Sequence, residues 1–113
     1  MKRTFVYAEL FERALKGRKH GDLILNLIEH TILENPKAGD VIQGTGGVRK
    51  LRIEDASRGK GKRGGFRVLF LDLPKSERTH LLVLYDKNQA ADLSAAGKKV
   101  IKELVEEIKG EES

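Results

Sequence analysis

Eight basic residues fall between Arg49 and Arg67, namely Arg49, Lys50, Arg52, Arg58, Lys60, Lys62, Arg63 and Arg67, against two acidic ones, Glu54 and Asp55. The segment carries a local net charge of +6, while 14 basic and 15 acidic residues leave the rest of the chain nearly neutral. Guanidinium groups present a planar fork of donors that fits phosphate oxygens, and they stay charged at every working pH. A basic run in a small protein can be only a solvated face, but this concentration in one segment points to a polyanion partner. The spacing sharpens the point. Arg49, Leu51 and Ile53 alternate with Lys50 and Arg52, so an extended strand here sets Lys50 and Arg52 on one face, two residues apart. Arg67 opens a hydrophobic run, where it either meets the same anion or simply carries its charge out from a core edge.

Other residue types that do chemistry are scarce or badly spaced. The chain has no cysteine, which removes thiol nucleophiles, zinc knuckles and disulfide frameworks together. His20, His30 and His80 have no ligand spacing between them and read as structural residues. No metal site and no cofactor is expected. The run Arg58 to Gly65 is basic and glycine-rich, which permits close approach to phosphate, but it lacks a Walker pattern and gives no support to nucleotide hydrolysis. Asp86 and Asp92 flank the last extended segment and are read as caps or ion-pair partners, with an acid–base role as the alternative. Tyr85 ends that segment, where its ring can pack or stack on a nucleotide base.

The elements that must position these groups are legible from periodicity. Thr4 to Tyr7 is β-branched and aromatic and predicts a first strand. Leu10, Phe11, Ala14 and Leu15 recur at helical spacing, with Gly17 as the stop. Asp22 is the expected N-cap of a second helix carrying Leu23, Ile24, Leu27, Ile28 and Ile32, which Asn35-Pro36 ends. Asn35 to Gly47 is turn-rich and predicts a surface crossing. Val48 to Ile53 is the next strand, Phe66 to Leu71 a buried central one, and Leu81 to Tyr85 its neighbour, joined through Pro74 to Thr79 as a hairpin. Ser94 is the expected cap of a terminal helix with an apolar stripe of Val100, Ile101, Leu104, Val105 and Ile108.

This order of elements predicts an α+β fold, an antiparallel sheet with two N-terminal helices and a C-terminal helix. The 113 residues and a hydrophobic fraction of 39% suit a single domain spanning residues 1–113 with one modest core. The N-terminus reaches Glu9 and Glu12 before any long apolar run, so neither a signal peptide nor a membrane span is expected, and the location is read as cytoplasmic.

Three stretches carry a specific likeness: Asn35 to Arg52 (NPKAGDVIQGTGGVRKLR), Gly59 to Val68 (GKGKRGGFRV) and Leu81 to Ser94 (LLVLYDKNQAADLS). In order and spacing they resemble the RelE superfamily of toxins from type II toxin–antitoxin systems, in particular its HigB-like branch. The resemblance implies a small RelE-like, microbial-ribonuclease-like fold and metal-independent endoribonuclease activity on messenger RNA in the decoding site of the 70S ribosome. It also implies neutralisation by a cognate antitoxin, a helix-turn-helix protein. By the same resemblance, Lys50 and Arg52 match two basic residues that contact the RNA backbone and assist catalysis. Arg67, in Gly65-Phe66-Arg67-Val68, matches an arginine that stabilises the reacting phosphate, and Lys87 matches a basic residue just after the last strand. Arg49, Arg58, Lys60, Lys62, Arg63 and Tyr85 are the expected RNA-binding set. A tyrosine found later in the best-known members is replaced by Leu93, a departure that the HigB-like branch shares.

Cleaving RNA through its own 2′-hydroxyl requires removal of a proton, stabilisation of a dianionic phosphorane and a proton for the leaving 5′-oxygen. Arg52 and Arg67 suit the second task. Lys50 is the candidate for proton transfer, because neighbouring cations disfavour a further positive charge. Two other functions stay open at this point: a ParE-like poison of DNA gyrase, and a non-catalytic module that only holds phosphate backbone.

Overall fold

The computed structural model describes residues 2–54, 65–86 and 94–112. In chain order these form β1 (Thr4–Tyr7), α1 (Glu9–Lys16), α2 (Gly21–Glu34), β2 (Asp40–Val41), β3 (Arg49–Ile53), β4 (Phe66–Leu73), β5 (Arg78–Asp86) and α3 (Ala95–Glu112). The architecture is α+β, as the periodicity predicts. The five strands lie in the order β1-β5-β4-β3-β2. The pairs β2/β3, β3/β4 and β4/β5 are antiparallel, whereas β1 runs parallel to β5 at the edge. The sheet is therefore mixed at one edge and antiparallel elsewhere. The short β2 falls inside the turn-rich stretch, where two residues leave no periodicity to read.

Helices cover both faces. On one side α1 and α2 bury Phe11, Ile24, Ile28 and Ile32 against Leu51, Ile53, Phe66, Val68, Phe70, Leu81 and Leu84. On the other, α3 buries Ile101, Val105 and Ile108 against Val48, Leu69, Leu71 and Leu82. The stripe on α3 is narrower than its sequence predicts, since Val100 is 64% exposed and Leu104 also reaches solvent. The three core positions recur at spacings of four and three, which is all that one sheet face can cover. The C-terminal part of α3 is tied down by Lys109, whose Nζ donates to the Gly46 carbonyl at 2.9 Å.

The alternation of β5 is broken once. Leu69 pairs with Val83 but Phe70 pairs with Leu81, so Leu82 has no partner in the ladder and forms a β-bulge. Leu82 and Val83 consequently both pack on the α3 side, although they are adjacent in sequence. Every residue beyond the bulge is shifted by one face.

Local details match the elements. Gly17 ends α1, and α2 stops at Glu34 before Asn35-Pro36. Helix α2 begins two residues earlier than an N-cap at Asp22 predicts, with His20 at the N-cap in a left-handed conformation (φ 61°) and no side-chain capping bond. At the far end of the sheet Asp72 accepts 2.7 Å bonds from Arg3 Nε and Thr79 Oγ1, a network in which Thr79 is fully buried. Tyr7 stacks on Phe11 and donates its hydroxyl to Glu29. Burial chiefly, and the Glu29 hydrogen bond and charge next, push the Tyr7 hydroxyl up to about 12.

Candidate functional site

The alternation of β3 sends Leu51 and Ile53 into the α1/α2 core and leaves Lys50 and Arg52 on the α3 side, as their spacing predicts. Across the ladder Arg52 lies opposite Arg67, and Arg67 lies opposite Tyr85. Residues directly opposed in antiparallel strands share a face, so Arg52, Arg67 and Tyr85 form a row across three strands. Lys50 stands on the same face, opposite Asp40 of β2. Two guanidinium groups placed directly across a ladder repel each other, and an anion between them is the arrangement that relieves it. Tyr85 joins this row only because of the bulge at Leu82. Strict alternation from Leu81, which packs in the α1/α2 core, would turn Tyr85 to the opposite face.

Above this face lies a cleft of ≈ 460 Å³ lined by Asp40, Val41, Ile42, Gln43, Lys50, Arg52, Tyr85 and Lys98. Lys98 comes from the first turn of α3. That turn is fixed by Ser94, whose Oγ accepts from the Gly97 N–H at 3.1 Å and whose carbonyl accepts from the Lys98 N–H at 2.9 Å. Arg67 is half-buried beside the cleft without lining it, and its Nη1 lies 3.4 Å from its neighbour's carbonyl, that of Phe66.

Two glycines allow the flanking chain to close on β3. Gly39 sits at φ 78°, and a Cβ there would lie 2.3 Å from the Lys50 carbonyl oxygen. Gly65 meets the other end of the strand, where a Cβ would lie 2.7 Å from the Ile53 carbonyl oxygen. Any side chain at either position would push the backbone off the strand that carries Lys50 and Arg52.

Several residues singled out from the sequence are placed apart from this cleft. Arg49 follows the opposite phase of β3, and its Nη1 donates to the carbonyls of Lys37 (2.9 Å) and Gly39 (3.2 Å), so it holds the loop before β2. Asp86 accepts a 2.9 Å bond from Arg18 Nη1, and the Arg18 guanidinium lies 5.5 Å from the centre of the Phe66 ring in the α1/α2 core. The ion-pair reading of Asp86 is the one observed. Arg58, Lys60, Lys62, Arg63, Lys87, Asp92 and Leu93 lie outside the described residues. His20, His30 and His80 sit on the α2 cap, on α2 and on β5, and among the described residues no three metal-ligating side chains come together.

Asp40, Gln43 and Lys98 escape the sequence reading. Lys98 had a signal: acidic residues suit the first turn of a helix, and α3 has none there while carrying lysine instead. Asp40 and Gln43 had none, because only the β2 pairing brings them over Lys50.

No family model matches the chain. Among solved structures it is similar to the isolated RelE toxin of E. coli, with 13% identity over 94% of this chain and 98% of that one and a TM-score of 0.49. No helix among the described residues is long and apolar enough to cross a membrane.

Proposed function

We propose that this chain is the toxin of a type II toxin–antitoxin pair, of the RelE superfamily and its HigB-like branch, and that it cleaves messenger RNA on the 70S ribosome. The observation that carries this reading is the row of Arg52, Arg67 and Tyr85, with Lys50 beside it, on one sheet face above an open cleft. The motifs from Asn35 to Ser94 supply the family resemblance, and these residues are the ones that the resemblance assigns to catalysis and RNA contact. A gyrase poison has no need of a phosphate cradle.

The chemistry follows from the groups present. The substrate's own 2′-oxygen attacks the adjacent phosphorus, the bond from phosphorus to the 5′-oxygen breaks, and the ends carry a 2′,3′-cyclic phosphate and a 5′-hydroxyl. Arg52 and Arg67 stabilise the dianionic phosphorane, and their contribution is largest in the transition state. Lys50 takes part in the two proton transfers, with Lys87 as a further cation. Arg58, Lys60, Lys62 and Arg63 hold the RNA backbone. No step is assigned to a metal ion, so cleavage persists in chelator at levels that spare the ribosome. In the resting pair an antitoxin covers the basic face or makes the complex too bulky for the decoding site.

The test is primer extension on a translated message, with and without a 2′-deoxy sugar at the cut position. The expected result is ribosome-dependent cuts that disappear at the deoxy position. Absence of any ribosome-dependent cut sinks the enzymatic reading, and efficient cutting at the deoxy sugar would falsify the 2′-hydroxyl mechanism.

A further inference from the structure

The lining of the cleft is mixed in chemistry. Lys50, Arg52 and Lys98 supply cations, and Tyr85 supplies a ring from β5. Immediately beside Lys50, β2 and the residues after it supply the carboxylate of Asp40 and the amide of Gln43. A surface meant only to hold phosphate gains nothing from a carboxylate, because it repels the ligand. A carboxylate facing such a cleft suits the edge of a base. The volume of ≈ 460 Å³ also lies within the roughly 300–1,000 Å³ of sites that take one small ligand.

We propose that this cleft takes a single unpaired nucleotide and selects guanine, with Asp40 and Gln43 reading the base. The proposal deepens the endoribonuclease reading and rests on it for the choice of RNA. The phosphate lies toward Lys50, Arg52 and Lys98, the pairing edge of the base meets β2, and Tyr85, on the far side of those cations, closes the other end of the cleft. Guanine is the base whose pairing edge presents two adjacent N–H donors, which fit the two oxygens of one carboxylate. Its O6 accepts from a side-chain amide such as that of Gln43. Adenine and cytosine set a ring nitrogen acceptor beside their amino group, and uracil flanks its one N–H with two carbonyls. Each of those puts a lone pair against Asp40. Asp40 pairs directly with Lys50 across the ladder, so the base that is read lies next to the phosphate that is held.

The experiment titrates the four nucleoside 3′-monophosphates into the full chain and follows the backbone amide signals of the cleft residues. The expected result is that 3′-GMP binds at least about tenfold more tightly than 3′-UMP, the discrimination typical of one bidentate base contact. Asp40→Asn keeps the shape but offers one donor and one acceptor. It should abolish the guanine preference and improve the relative binding of 3′-AMP and 3′-CMP. Lys50→Gln should weaken all four ligands while keeping their order. Equal affinities in the wild-type chain, an unchanged order in Asp40→Asn, shifts confined to residues outside the cleft, or no saturable binding each overturn the assignment. Asp40 is exposed, so unchanged circular dichroism of the variant is expected. If the guanine order appears while translated messages stay intact, the enzymatic reading fails and the cleft assignment survives. Cuts indifferent to the base, together with equal affinities, give the reverse.

Discussion

Arg67 and Arg49 look equivalent in the sequence, each a basic residue beside a hydrophobic run, but they face opposite sides of the sheet and have different partners. Arg67→Ala is expected to lower the cleavage rate by roughly 100-fold or more, the loss that follows removal of one transition-state donor. Ribosome binding should fall much less. Arg49→Ala should leave the rate within a few-fold, because its guanidinium already serves the carbonyls of Lys37 and Gly39. Single-turnover rates on ribosome-bound message decide this, and comparable losses in the two variants would contradict the facial assignment. Tyr7 offers a test independent of function. Its hydroxyl is raised to about 12 from the ordinary 10.0, so the unfolded chain loses this proton first. The stability it contributes is therefore fully present below pH 10 and is lost as pH rises through about 12. In a Tyr85→Phe variant the remaining phenolate absorbance should rise well above pH 10. Glu29→Gln should bring it only part of the way down, since burial is the larger cause. A midpoint near 10 with the fold intact would contradict the burial of that hydroxyl.

At the scale of elements, most of the order was legible because helices and strands of more than about four residues impose a period on their apolar positions. The first strand, the helix ends at Gly17 and Asn35, the Ser94 cap and the shared face of Lys50 and Arg52 all follow from such local signals. What was not legible depends on a partner element. The two residues of β2 are extended because β3 lies beside them, and Asp40 enters the site by that pairing alone. The stripe on α3 reads five residues wide, yet the sheet covers only part of it. Ile101→Ala is accordingly expected to cost about 2–5 kcal/mol, and Val100→Ala to stay within about 0.5 kcal/mol. Urea unfolding of the two variants measures this, and similar losses would mean that α3 is rotated from the position described. Arg58 to Gly64 and Lys87 to Leu93, which hold half of the expected RNA-contacting residues, lie outside the described residues, so that half of the site rests on the sequence.

For the molecule as a whole, the sheet separates two jobs: α1 and α2 brace one face while the other carries the cleft. The bulge at Leu82 decides which residue of β5 belongs to which job. It works in space as a frameshift works in a coding sequence. Residues up to Leu81 are assigned in one phase, and Val83 to Asp86 in the other, which delivers Tyr85 to the cleft and Asp86 to Arg18. Deleting Leu82 alone should remove the bulge while keeping Val83 opposite Leu69 and Leu81 opposite Phe70, so Tyr85 stays in the cleft at some loss of packing. Inserting a residue between Leu84 and Tyr85 should instead turn Tyr85 inward, part Asp86 from Arg18 and abolish nucleotide binding. A residue inserted in the turn at Lys75 and Ser76 should be tolerated, because the change of length is absorbed before the ladder begins. Away from the bulge this strand accepts substitution far more readily than a change in its length, so natural variation in β5 should consist of exchanged side chains, with any gain or loss of a single residue confined to Leu82.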